Sequence, residues 1–192
     1  MSTNAALCPE PPPAPAPAPT AAAPAAAAAA PVPGRPPARP TPAAALHSIA
    51  AATTVLLALV AIGAMIHEPV LIPPLAASAA LVHSAPTLPL AQPRGVIVGH
   101  LVGSAVGYAV LAAAGSSGWA AAVAAGLTLA VNMAARTPHS PAVATAVIVV
   151  LQTPAPERFV PLLFGSTGLL VLTGYAASRV RRTAPRYPAY WW

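Results

Sequence analysis

Residues 136–147 read Arg-Thr-Pro-His-Ser-Pro-Ala-Val-Ala-Thr-Ala-Val. Arg136, Pro138, His139 and Pro141 stand between two apolar runs, where breakers and polar groups should be costly. Proline is tolerated in the first turn of a helix, because the N–H it lacks would have no partner there. The stretch therefore reads as the start of a short helix over 141–152, with Ser140 placed to cap it. Thr145 lies four residues beyond Pro141, one turn on along the same face. A counterpart stands upstream. Pro74–Val82 and Pro141–Val149 both read Pro-x-x-Ala-(Ser/Thr)-Ala followed by aliphatic residues, with Ser78 in the place of Thr145.

Outward from these two stretches the chain is apolar almost throughout. It has 192 residues, 57% hydrophobic and 6% charged, with mean hydropathy +0.70. A soluble domain carries roughly a quarter charged residues, so this composition implies an integral membrane protein, all-α, with the lipid bilayer as its surroundings. Residues 1–45 are a Pro/Ala tract, which proline keeps from forming one helix and which reads as a disordered tail with polyproline character. Residues 46–182 form the membrane domain, and 183–192 a basic and aromatic tail suited to the headgroup region. Within the domain, 46–66, 95–115, 119–135 and 159–178 approach the roughly 20 residues needed to cross the bilayer; 70–84 and 141–152 fall short.

Each half runs long helix, short Pro-led helix, Pro/Arg loop, long helix. The order implies two three-helix repeats, and an odd number of helices per repeat makes them inverted. The positive charges are all arginine. With six crossings and the N-terminus inside, Arg35, Arg39, Arg94, Arg136, Arg179, Arg181, Arg182 and Arg186 fall on the cytoplasmic side. Only Arg158 falls outside, with Glu68 and Glu157. The positive-inside rule favours this arrangement over four crossings with re-entrant short segments. The expected location is the inner cell membrane, multi-pass, with both termini cytoplasmic. Clusters of arginine between apolar runs are topology signals, and nucleic acid is excluded as a partner on that ground. The oligomeric state is open, a homo-oligomer included.

Short, proline-interrupted segments at matching places in two inverted halves point to a transporter's binding site. Helix starts within the membrane offer backbone N–H groups to an anion. The candidate binding residues are Pro74, Ser78, Arg94, His100, Arg136, His139, Ser140, Pro141 and Thr145. His139 can change charge near neutral pH. Gly95, Gly99, Gly103 and Gly107 recur every four residues and form a bare stripe for close helix packing. His100, one position on from Gly99, is expected to face the bundle interior. His67 and His83 sit near segment ends, an interfacial position. No paired carboxylate, phosphate loop or activated nucleophile is present, so no enzyme, cofactor or metal site is expected.

Three stretches carry a family resemblance: Pro-Pro-Leu-Ala-Ala-Ser-Ala-Ala-Leu-Val at 73–82, Leu-Ala-Gln-Pro-Arg-Gly-Val-Ile-Val-Gly-His at 90–100, and Arg-Thr-Pro-His-Ser-Pro-Ala-Val-Ala-Thr-Ala at 136–146. They resemble the HPP family of integral membrane proteins over residues 46–182. The middle stretch is the most specific, since Gln92, Pro93, Arg94, Gly99 and His100 fit the pattern Gln-Pro-Arg-x-x-x-x-Gly-His. The resemblance implies transport of a small inorganic anion, nitrite-like, and a bundle often described with four spans. The chain departs from the family at Ser140, where His-Pro-Pro becomes His-Ser-Pro, and at Ala76, Val98 and Val143, where bulk replaces small residues. Those departures put the glycine-dependent parts of a site in doubt. The rival expectation is a non-transporting scaffold that recruits a partner through its tails.

Overall fold

The protein is described by a computed structural model over residues 38–180 and 185–191. The described residues form an all-helical bundle within the unit Pro40–Trp192. Its helices are α1 (Pro42–Ile66), α2 (Pro73–Ser84), α3 (Pro93–Ala114), α4 (Gly118–Ala134), α5 (Ser140–Gln152) and α6 (Pro156–Val180), with one 3-10 turn at Pro89–Ala91 before α3. Among the described residues there is no strand. Most of the expected tail, residues 1–37, lies outside the described residues, as do 181–184. α1 begins earlier than the expected 46, at Pro42, because Thr41 caps it: its hydroxyl accepts from the Ala44 N–H at 3.3 Å.

Local chemistry sets the boundaries. Proline occupies the first or second position of α1, α2, α3 and α5, where a missing N–H is harmless. Ser117 caps α4 by accepting from the Ala120 N–H at 3.1 Å. Gly115, with φ +72°, turns the chain at the end of α3. His67, Arg136 and Thr153 adopt the same left-handed region where the chain leaves α1, α4 and α5.

α1, α3 and α6 are long and apolar enough to cross a membrane. α4 and α5, with 17 and 13 residues, are apolar but shorter, and α2 has 12. At 1.5 Å per residue α2 and α5 each span about 20 Å. The outer surface is apolar, with Met65 80%, Trp119 87% and Val180 77% exposed. The interior holds polar groups: Ser78, His100, Thr128 and Thr145 are each 0% exposed. Apolar outside and polar inside is the distribution a lipid solvent demands.

The helices pack in two groups. Val55, Leu59, Val70, Leu75, Ala79, Leu163 and Leu170 form the core between α1, α2 and α6. Val110, Ala120, Ala121, Ala124, Ala146 and Val150 form the core between α3, α4 and α5. Contacts of α3 with α6 and of α2 with α5 join the two. The glycine stripe of α3 makes the closest approach. A Cβ on Gly99 would lie 2.9 Å from the Cβ of His139, and one on Gly107 would lie 2.8 Å from the Cβ of Val149. A Cβ on Gly103 would collide with the Ala142 carbonyl. The stripe is thus the seat of α5, the helix that the opening stretch begins.

Long-range contacts define the two ends. At one end His47 Nε2 lies 3.1 Å from the Ala177 carbonyl, and the Arg94 guanidinium donates to the Ala135 carbonyl at 2.9 Å. Arg94, Arg136, Arg179 and Arg186 lie toward this end. At the other end Arg158 pairs with Glu68 at 2.8 Å, and the Tyr108 hydroxyl donates to the Pro154 carbonyl at 3.0 Å. The C-terminal segment does not simply lie at a lipid surface. It folds back on the bundle, where Tyr187 is 1% exposed and packs on Val82, Val96 and Val171. Tyr190 and Trp191 remain exposed.

Candidate functional site

His100 lies on the glycine-striped helix α3, one position from Gly99. His139 is the residue immediately before α5. The absence of a side chain at Gly99 lets the His139 backbone approach α3, and the two imidazoles meet edge to face with ring centres 4.8 Å apart. Their Nε2 atoms are 3.2 Å apart. Ser78, from α2, places its hydroxyl oxygen 2.8 Å from each of those two nitrogens and 2.9 Å from the Pro74 carbonyl. Thr145, from α5, lies 2.7 Å from His100 Nδ1. The two residues paired by sequence, Ser78 and Thr145, therefore contact opposite nitrogens of one histidine. His139 is 3% exposed, and Ser78, His100 and Thr145 are 0% exposed.

The heavy-atom positions determine most of the hydrogens. His139 Nδ1 lies 2.7 Å from the Leu90 carbonyl, which can only accept. His139 therefore carries its hydrogen on Nδ1, and a neutral ring then leaves a lone pair on Nε2. Two lone pairs cannot face each other at 3.2 Å, so His100 carries its hydrogen on Nε2, and its Nδ1 accepts from the Thr145 hydroxyl. In this neutral arrangement the His100 Nε2 hydrogen is shared between His139 Nε2 and the Ser78 hydroxyl oxygen, and the Ser78 hydroxyl donates to the Pro74 carbonyl. A proton added at His139 Nε2 turns that nitrogen from acceptor to donor. Ser78 then accepts from both imidazoles while still donating to Pro74. No carboxylate is at hand to balance the added charge. Among the described residues the acids are Glu68 and Glu157, which lie with Arg158 toward the opposite end from Arg94, Arg136, Arg179 and Arg186.

Other candidates stand apart from this cluster. Arg94 is half-buried and spent on the last turn of α4 through the Ala135 carbonyl. Arg136 is exposed in the left-handed turn after α4. The expected cap at Ser140 does not form: the helix begins at Ser140 itself, its side chain is exposed, and no side chain caps α5. The helix starts also offer few backbone donors. Pro73, Pro74 and Pro141 have no N–H, while the N–H groups of Leu75 and Ala142 turn back onto Ile72 and His139. The two starts lie toward opposite ends of the bundle, and it is Ser78 and Thr145, each further along its helix, that converge. Gly99, Gly103 and Gly107 are buried against His139 and α5, and Gly95 is buried against Pro138 and the 3-10 turn at Pro89–Ala91.

Several buried polar residues were not among the candidate binding residues. Asn132 accepts from the Thr137 hydroxyl at 2.9 Å, and Thr128 lies one turn earlier on α4, 0% exposed. An asparagine inside the apolar run Ala-Val-Asn-Met-Ala was the available signal. Gln92 is 1% exposed. Its amide nitrogen donates to the Pro86 and Leu88 carbonyls at 2.8 and 2.9 Å. Its oxygen accepts from the N–H of Ala189 and, at 3.4 Å, of Tyr190. His83 lies in the last turn of α2, as its place near a segment end implied, and is buried there.

Comparison with known proteins agrees with this architecture. The family model described as HPP, transmembrane region, matches residues 37–188. A transmembrane protein of Dictyostelium discoideum is 33% identical over 132 residues, covering 64% of this chain and 46% of that protein. A second transmembrane protein of the same organism is 34% identical over 126 residues, covering 61% and 40%. The matched region thus spans less than half of each of these relatives. No solved structure matches.

Proposed function

The chain belongs to the HPP transmembrane family, and from that premise we propose that it carries a small inorganic anion, nitrite-like in size and charge, across the membrane together with a proton. The observation that supports this most is the pair of buried imidazoles sharing the Ser78 hydroxyl, with Nε2 atoms 3.2 Å apart and, among the described residues, no acid beside them. A proton entering the pair at His139 creates a positive charge in a low-dielectric interior. Such a charge needs a negative partner, and an anion that enters with the proton supplies it. His100, His139, Ser78 and Thr145 are the donors that would hold the anion once the pair is charged. The helix starts contribute less, because Pro73, Pro74 and Pro141 lack an N–H and those of Leu75, Ala76 and Ala142 are engaged.

The surrounding architecture supports the same reading. The grouping of α1, α2 and α6 against α3, α4 and α5 is what two inverted three-helix units make when each gives its last helix to the other. The short helices α2 and α5 then occupy equivalent places, and Ser78 and Thr145 meet at the centre. Alternation between two ways of packing these units would expose the cluster first to one side and then to the other. The arginine-bearing end would be cytoplasmic by the positive-inside rule, placing both termini there and the protein in the cell membrane. The test is uptake by the purified protein in proteoliposomes, measured with nitrite and other small anions under an imposed proton gradient. His139→Ala is expected to abolish uptake while leaving a folded, monodisperse protein. Unchanged uptake in that variant would remove His139 from the mechanism.

A further inference from the structure

A cavity of about 680 Å³ opens at the arginine-bearing end, between the start of α1 and the ends of α2 and α6. His47, Ser48, His83 and Ser178 are among its polar lining residues, and Val82 and Tyr187 also contribute to its wall. Val82 stands one helical turn from Ser78 on the same face of α2. Val96, which packs with Val82 and Tyr187, stands one turn from His100 on α3. The Tyr187 ring therefore lies roughly 5–6 Å, measured along either helix, from the level of the histidine cluster. The ring thus forms part of the cavity wall on the side of the residues next in line to the cluster.

The ring is fitted closely. A Cβ at Gly174 would collide with Val82 and lie 2.9 Å from the ring's Cε1. Its hydroxyl, however, is buried without a hydrogen-bond partner among the described residues. A buried, unpartnered hydroxyl is destabilising, and a phenylalanine would fill the same space without it. The hydroxyl suits a side chain that also spends time in water. Hydrogen bonds among the described residues attach the segment at two points. The Ser178 hydroxyl reaches the Tyr187 carbonyl at 3.2 Å, and the Gln92 side chain accepts from the Ala189 N–H at 2.9 Å. Tyr190 and Trp191 beyond it are exposed.

We propose that Tyr187 is a displaceable stopper, and that the cavity behind it is the vestibule by which a small anion reaches the His100–His139 cluster from the arginine-bearing end. The proposal rests on the transport reading for its cargo, but its geometry can be tested without transport. The probe is a water-soluble, charged thiol reagent acting on purified full-length protein in detergent, with Val82→Cys in a Cys8→Ser background. The introduced thiol is expected to react slowly behind the native tail. Adding Tyr187→Ala should speed the reaction by about tenfold or more, because reaction would no longer wait for local opening of a packed segment. Tyr187→Phe keeps the ring and should stay slow. Ending the chain after Ala184 is a second way to remove the stopper, should the alanine variant not fold.

Equal labelling rates with and without the ring overturn the proposal, whatever the flux. Faster labelling is read beside anion uptake in proteoliposomes, where Tyr187→Ala should raise the initial rate. Faster labelling with no uptake in any variant keeps the stopper and refutes the transport reading. Uptake that is present but unchanged by removal of the ring overturns the stopper as a gate.

Discussion

Gly99→Ala tests the link between the glycine stripe and the histidine pair. The added methyl would lie 2.9 Å from the His139 Cβ, against an ordinary carbon–carbon separation of about 3.5–4.0 Å, so the two must part by at least about 0.6 Å. The His139 Cβ cannot move alone, because the residue is anchored where the chain enters α5. The bond from His139 Nδ1 to the Leu90 carbonyl is 2.7 Å, and a displacement of that size carries it to about 3.3 Å, past the usual limit for N–H···O. Overpacking of this kind costs about 1–3 kcal/mol, and replacing glycine within a helix returns about 0.5–1 kcal/mol. The net expectation is a loss near 1 kcal/mol. Gly126→Ala is the matched control: nothing lies within 4 Å of its added Cβ, so it should keep the helix gain alone. The difference between the two variants isolates the clash at about 1–3 kcal/mol. Unfolding of both in the same detergent measures it. If Gly99→Ala unfolds with Gly126→Ala, the close approach of α3 to His139 is not as described here.

Nitrogen NMR of labelled imidazoles at neutral pH should show His139 with its hydrogen on Nδ1 and His100 with its hydrogen on Nε2; the opposite pair of tautomers would overturn the hydrogen-bond assignment. Thr145→Val removes the donor to His100 Nδ1 and should shift the His100 Nδ1 resonance while leaving both tautomers in place, because the His139 Nε2 lone pair holds the His100 hydrogen on Nε2; a switch of His100 to the Nδ1 tautomer would show that Thr145, and not His139, sets it. Arg158→Ala should change stability by less than about 1 kcal/mol, because the side chains of its pair with Glu68 are 70% and 29% exposed. A larger loss in unfolding measurements would mean that the pair is more enclosed than its exposure indicates.

The parts legible in the sequence are those that repeat or have a strict steric meaning. Glycine every fourth residue on an apolar helix has one close-packing use; Gly99, Gly103 and Gly107 serve it against His139 and α5, and Gly95 against Pro138 and the turn at Pro89–Ala91. Proline after a polar break marks a helix start, and α2 and α5 begin within a residue or two of Pro74 and Pro141. What could not be read was which polar groups meet across the bundle. Arg94 and Arg136 stand beside the histidines as candidates in the sequence, but in the structure α4 ends beside Arg94 and the chain turns at Arg136. Ser140 is the right residue type for a cap, but the helix starts one residue earlier than a cap there would require. Tyr187 follows a basic stretch and precedes more aromatics, a pattern suited to an interface. Only the room left by Gly174, a distant residue, admits its ring to the interior.

Glycine in α3 and proline in α5 act together on one geometric problem. A histidine at the mouth of a helix normally points into a loop, away from the core. Here the chain before α5 lies on a helix that has no side chains along that face, so His139 can be drawn in until its ring meets His100. The hydroxyls of Ser78 and Thr145 then fall on either side of His100 because α2 and α5 carry them at matching places. Replacing Pro141 alone would leave His139 where the stripe holds it, whereas adding a methyl to the stripe would move it. The sensitivity of the histidine pair should therefore follow the glycines of α3 more closely than the His-Ser-Pro residues that mark the motif. That ordering explains how Ser140, exposed at the first position of α5, can vary without disturbing the centre.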